Sequence, residues 1–182
     1  MSYTLQIHFA NRLRGDIGLN VLLSLDCTDY EIQEPFPFST KWYGHKKNGP
    51  AVRYEVGVNI QTGDICWTYG PFPPGEWPDI NIARRRIIHL LDPTELIAAD
   101  GGYADGMQYF LTPTGHNDLI GWLLSVLRHE TVNGRFKNWG ILKQVFRHNV
   151  NKHGFVFNAI ANITQLDIEN GHPLFPVFFR FN

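Results

Sequence analysis

The sequence predicts an α/β fold built on a mixed sheet. Three observations carry that prediction. "VLLSLD" (Val21 to Asp26) is a nearly continuous apolar run, as expected of a central strand buried on both faces. "AVRYEVGVNI", "QTGD" and "ICWTY" (Ala51 to Tyr69) read as strand, turn and strand. Beyond residue 78, segments of helical periodicity alternate with short apolar runs. The 182 residues suffice for one full core, and a charged fraction of 18% argues against extended disorder.

The elements follow in order. "CTDYEIQEPFPFSTKWYGHKKNGP" is polar, aromatic and proline-bearing, and is expected to be largely loop. "GPFPPGEW" is expected to be irregular, because its prolines and glycines break both ladders and helices. Asp79 then opens a helix through "DINIARRRIIHLL", with Ile80, Ala83, Ile87 and Leu91 at helical spacing and Asp79 suited to an N-cap. "ELIAAD" is a short strand and "MQYFLTP" another. The strongest helix spans "NDLIGWLLSVLRHETVNGRFKNW", with Ile120, Leu123 and Leu127 as its apolar stripe. A last helix over roughly 151–170 carries Val156, Ile160 and Ile163, and Gly171 suits its C-terminal end. One antiparallel hairpin followed by strands reached through helical crossovers gives a mixed sheet.

Composition excludes several classes. Cys27 and Cys66 form neither a disulfide framework nor a zinc-ribbon spacing, and they suit a reducing compartment. No run of about 18 apolar residues is present to span a membrane, so no membrane partner is expected. No phosphate-binding loop of the nucleotide-hydrolase type occurs. The net charge of −1 gives no global hint of a nucleic-acid partner.

The acids carry the chemistry. Asp26 and Asp100 stand at the C-terminal ends of the two most buried strands. Parallel neighbours would set these carboxylates side by side at the sheet edge where α/β folds bind ligands. Two such acids repel, and Mg²⁺ or Mn²⁺ would relieve them. Glu130 continues the stripe of the strong helix and is expected at the sheet or its rim, with Arg128, Lys137 or a metal as partner. Asp79 is a cap, a ligand, or both. Asp29 competes with Asp26 but lies past the apolar run. Each acid alone also reads as a turn former, cap or surface ion pair, and the convergence of the set is what favours a metal. Among the cations, Lys46 and Lys47 in "KWYGHKK" suit a nucleic-acid backbone, and Arg84 to Arg86 read as a solvated helix face. Arg128, Arg135 and Lys137 flank Glu130 and are candidate phosphate contacts.

The segments "LDCTDYEI", "GPFPPGEWPD", "LIAADGGY", "LTP" and "RHETVNGRFKNWGIL" occur in the order found in Harbinger/PIF-type transposases of the DDE superfamily, which the chain resembles from about Leu22 to Gly171. The resemblance implies a ribonuclease H-like mixed sheet flanked by helices, over residues 21–182, after an N-terminal extension of residues 1–20. It implies Asp26, Asp100 and Glu130 as the catalytic acids, with Asp79 a fourth ligand or an acid behind them. It implies metal-dependent cleavage of DNA in the nucleus by a two-metal mechanism. Cys27 stands where the family usually has glycine. Family members carry an upstream DNA-binding region, so a separate Myb-like or helix-turn-helix partner and a homo-oligomer are expectations here. The rival expectation is a domesticated, non-catalytic domain that binds DNA or protein.

Overall fold

The computed structural model describes residues 7–15, 20–106, 108–113 and 119–176, with the backbone alone for 119–126. In chain order the elements are β1 (Val21–Glu31), β2 (Tyr43–Gly44), β3 (Gly49–Asn59), β4 (Ile65–Phe72), α1 (Asp79–Arg85), β5 (Leu96–Ala99), β6 (Phe110–Leu111), α2 (Leu119–Lys137), α3 (Gly140–Lys143) and α4 (His153–Glu169). The fold is α/β: six strands form a mixed sheet with helices on both faces.

The main path of the sheet runs β4-β3-β1-β5-β6. β1 pairs antiparallel with β3 and parallel with β5, and β5 pairs parallel with β6. β2 joins only the first two residues of β3. Strand alternation divides the side chains between two layers. Leu23 and Leu25 of β1 pack with Ile97 and Ala99 of β5 and with Ile80 and Ala83 of α1. Tyr30, Val52, Tyr54 and Val56 face the other way, onto Val132 and Phe136 of α2 and Phe157 and Ile160 of α4. The Tyr54 and Phe157 rings stack with centroids 3.9 Å apart.

Several elements depart from expectation. β1 continues through Cys27–Glu31, where the sequence predicts loop. The reason is cross-strand charge pairing: Asp29 lies directly opposite Arg53 in the β1–β3 register and takes two hydrogen bonds from it. The helix expected from Asp79 to Leu91 breaks at Arg86, and Ile87–Leu90 form a 3-10 turn. Asp79 is the first residue of α1, one place after the N-cap residue, Pro78. Leu127 of the predicted α2 stripe is 45% exposed. The inner face of that helix is instead Arg128, His129, Val132, Asn133 and Phe136. A count of apolar residues misses it because three of these five side chains, Arg128, His129 and Asn133, are polar. Ile120 and Leu123 of the same stripe lie outside the described side chains. On α4 the buried row is Phe157, Ile160, Ala161, Thr164 and Ile168, and Ile163 is exposed. Gly171 ends that helix at φ +111°, as its residue type suggests. In the segment predicted as an N-terminal extension, Arg12 forms a buried ion pair with Glu95 at 2.8 Å and so ties residues 9–13 to the start of β5.

Arg128 is a structural clamp. Its guanidinium donates to the carbonyl oxygens of Ile60 (2.6 Å) and Phe175 (2.8 and 2.5 Å), and more loosely to those of Asn59 and Gln61. It thus holds the β3–β4 turn and the segment after α4 on one helix. Burial lowers its pKa to about 10. Arg128→Met takes the guanidinium donor from the Ile60 and Phe175 carbonyls, which costs about 3 kcal/mol. A urea titration should show the midpoint falling with the slope unchanged.

Candidate active site

The site begins where β5 stops. In the parallel register Leu25 lies opposite Ala99, so the next residues, Asp26 and Asp100, stand at matching positions on neighbouring strands. β5 ends there, but β1 runs five residues further to Glu31. Beyond that gap the segment around Phe146 takes up the vacated flank: Phe146 N–H donates to the Glu31 carbonyl, and Gln33 N–H donates to the Phe146 carbonyl, both at 2.9 Å. The gap between Asp100 and Phe146 opens a cleft of about 350 Å³ along the middle of β1.

Asp26, Asp100 and Glu130 all line this cleft, with Lys46, Lys47 and Lys137. Strand alternation turns Asp26 and Asp100 toward the α2 layer. Seven residues separate Glu130 from Lys137, about two helical turns, so α2 presents both to the cleft. Lys46 and Lys47 arrive on the tight turn between β2 and β3. Lys47 N–H bonds the Gly44 carbonyl there, and Asn48 adopts φ +52°, a conformation that asparagine tolerates. Because β3 runs antiparallel to β1, its start lies beside the end of β1 and carries the turn to the cleft.

The electrostatics are those of crowded acids. Asp26 Oδ1 accepts the Cys27 N–H at 2.7 Å. Burial still raises the Asp26 carboxyl above its ordinary value and the Asp100 charge raises it further, opposed by His129 and Lys46. Asp100 Oδ1 accepts the Gly102 N–H at 2.9 Å, so this acid both starts a turn and lines the cleft. A Cβ at residue 102 would lie 3.0 Å from Asp100 Oδ1, so a larger residue there would press on that carboxylate.

Asp79 has a different place. Its Oδ1 accepts Arg53 Nη1 at 2.6 Å, and its Oδ2 accepts Lys46 Nζ at 3.3 Å. Lys46 also reaches Asp26 Oδ1 at 3.7 Å and donates to the Cys27 carbonyl at 2.9 Å. Burial works against the Lys46 ammonium, but Asp79 and Asp26 outweigh it and hold its pKa above the ordinary lysine value. Asp79 is therefore the anchor of a charge chain, buried at Asp29, Arg53 and Asp79 and exposed at Lys46, that ends on Asp26. Asp29 is fully buried in that chain, on the face of β1 opposite Asp26.

Two predicted phosphate contacts lie elsewhere. Arg128 is turned into the protein, onto the carbonyls described above. Arg135 bonds Asp167 and the carbonyls of His172 and Pro173 beside α4. Among the buried polar side chains that line the cleft and that the sequence analysis did not single out, α2 supplies His129 and Asn133 and β1 supplies Ser24 and Thr28. Neither nitrogen of His129 makes a well-formed hydrogen bond, nor does Asn133 Oδ1. Burial lowers the His129 pKa, partly offset by the Asp26 charge. The helical period was the available signal, since His129 and Asn133 flank Glu130 on one side of α2.

No protein-family model, curated protein or solved structure matches the chain.

The oxygen donors of Asp26, Asp100 and Glu130 fit a hard divalent cation in chemical type. Among the described residues no three His, Cys, Asp or Glu side chains are gathered tightly enough to hold one ion. The acids line the cleft rather than enclose a point within it.

Behind the site, on the α1 side of the sheet, Glu55 is fully buried opposite Cys27. Its Oε2 accepts Trp67 Nε1 at 2.8 Å, and its Oε1 has no hydrogen-bond partner among the described residues. Burial, aided by the Asp79 charge, raises its pKa from 4.5 to about 8. Between those values the unfolded chain releases this proton and the folded chain keeps it, so stability falls as pH rises. Glu55→Gln should remove that fall, a difference on the order of 3–5 kcal/mol between pH 4 and pH 9. Denaturant midpoints across that range measure it. A second check concerns the paired acids. Asp100→Asn removes a like charge, so the Asp26 pKa should drop, as followed by carboxyl ¹³C shifts; an unmoved titration would mean that the two do not interact.

Proposed function

We propose that the chain is the catalytic domain of a metal-dependent DNA endonuclease of the Harbinger-like transposase type, with a ribonuclease H-like fold. The observation that carries the reading is the register: Asp26 and Asp100 at matching ends of adjacent parallel strands, with Glu130 lining the same cleft. The strand order supports it. Three antiparallel strands in sequence, followed by two parallel strands on the other side of the first, is the arrangement a ribonuclease H-like sheet requires.

In this reading Asp26, Asp100 and Glu130 hold Mg²⁺ or Mn²⁺. Bound divalent cations supply positive charge where the pentacoordinate phosphorus of a cleaved phosphodiester is most negative. The chain's own residues do the rest. Lys47 and Lys137 line the cleft on either side of the acids and draw the phosphate in. The buried Asp29–Arg53–Asp79 chain holds Lys46 beside Asp26, so the charge next to the first acid is fixed before substrate arrives. For strand cleavage a water attacks the phosphorus in line and the bond to the strand's 3′-oxygen breaks, leaving a 3′-hydroxyl; for joining, that 3′-hydroxyl attacks a target phosphodiester and the target's 3′-oxygen leaves, each nucleophile's proton passing to the departing oxygen by way of solvent. A nuclear location and a separate DNA-binding partner of Myb-like or helix-turn-helix type belong to the same proposal.

Nicking of a supercoiled plasmid in millimolar Mn²⁺ is the test. Asp100→Ala should lower the rate at least 100-fold, with the fold retained by circular dichroism. Equal residual nicking by wild type and variant would sink the proposal.

One contact favours a second reading, a non-catalytic DNA- or protein-binding domain of transposase origin. The Lys46 ammonium already sits 3.7 Å from Asp26, supplying countercharge that the first reading assigns to a cation. Calorimetric titration separates the two: no heat at millimolar Mn²⁺ from folded protein supports the second.

A further inference from the structure

The chain carries a charge asymmetry that its net charge conceals. From Thr131 to Leu166 there is no Asp or Glu, yet the stretch holds Arg135, Lys137, Lys143, Arg147 and Lys152. Arg135 is engaged by Asp167. Lys137, Lys143 and Arg147 pair with no acid among the described residues.

The fold gathers these cations along one line. Lys137 ends α2 at the carboxylate cleft. α3 follows and carries Lys143 on its last turn. The next segment lies along the end of β1 through the Phe146 bonds, which brings Arg147 to the same strand end. Lys143, Arg147 and His148, all exposed, line a second concavity together with Glu31. Glu31 is the joint between the two hollows. It ends β1, whose middle floors the first cleft, and it is paired at 3.3 Å with Lys47, which lines that cleft. A path of cations thus leaves the acids over Lys47 and continues across Lys143 and Arg147.

We propose that this path is the track for a nucleic-acid strand whose scissile phosphate lies in the cleft, with the backbone phosphates beyond it seated on Lys143 and Arg147. The proposal rests on the nuclease reading for the identity of the cleft, but the track is tested on its own by binding. A row of unpaired cations that continues an acid-lined cleft matches a polymer bearing one charge per nucleotide. The Lys47–Glu31 pair partly offsets the path at its middle, so the strongest attraction lies at and beyond α3.

The experiment is fluorescence anisotropy with a labelled 15-nucleotide single strand, with no divalent metal present, across a salt series. Lys143→Glu/Arg147→Glu should weaken binding at least tenfold. Lys143→Gln/Arg147→Gln should flatten the slope of log K against log salt by about 1.4, the loss of two phosphate contacts on a single strand. Arg84→Glu/Arg86→Glu, an equal charge change on the exposed end of α1, should leave affinity within about twofold. Equal losses from both charge-reversal pairs overturn the track, as does binding of polyglutamate as tight as that of DNA. If the K143E/R147E effect holds while plasmid nicking is absent, the track stands and the nuclease reading fails. If Mn²⁺-dependent nicking is found and K143E/R147E binds as wild type does, the track fails alone.

Discussion

The parallel pairing of β1 with β5 is the constraint on which the rest depends. It fixes two carboxylates at one level, because Leu25 opposite Ala99 makes Asp26 and Asp100 the next pair. It also makes the cleft, since β5 ends at that pair and β1 does not. A shift of one residue in this register would turn Asp26 and Asp100 to opposite faces. The apolar neighbours hold the register. Leu23, Leu25, Ile97 and Ala99 are all buried against α1, and a slip would carry them out of that layer.

Placing acids so close has an electrostatic cost that the fold meets from behind the sheet. Asp29 and Asp79 are buried acids, Arg53 lies between them, and Lys46 extends the chain to Asp26. Burial alone would weaken the Arg53 charge, but Asp29 and Asp79 keep it fully protonated. Breaking such a set by removing one member exposes the others as unpaired buried charges. The face of β1 that packs on α1 is thus a charge-balanced support, and the face that packs on α2 carries the carboxylate that lines the cleft. Glu55 belongs to the support side, where its neutral form avoids adding a further charge beside Asp79.

Asp26 and Asp100 were legible in the sequence because an apolar run that stops on an acid marks a strand end without any knowledge of the partner strand, and Glu130 because it lies a helical step beyond an apolar stripe. The α/β class and the mixed sheet followed from the same runs. What was not legible was direction around a helix. Arg128 and Arg135 lie near Glu130 in sequence, but two and five residues are more than a quarter turn away from it, and only Lys137, at seven, returns to its side. The continuation of β1 through Cys27–Glu31 was hidden as well, since Asp29 reads as loop until Arg53 of the neighbouring strand is set opposite it. Asp79 looked like a helix cap because it stands at the start of α1. Its side chain goes to two cations because the sheet beneath brings them closer than the helix's own N–H groups.

The same helix direction explains why the acids and the cations occupy one chain segment without cancelling. Glu130 ends the acidic part of α2, and no acid follows until Asp167 on α4. Lys137, one face and two turns later, is the first cation on that side that no acid takes up among the described residues. Had an acid stood three or four residues before Lys137, in place of Gly134 or Asn133, the two would have paired locally on the helix and the cleft would have lost its rim charge. The separation of sign along the chain becomes a separation in space, with acids at the strand ends and cations along the way out. That arrangement suits a ligand that is itself a line of negative charge with one point at which it is cut.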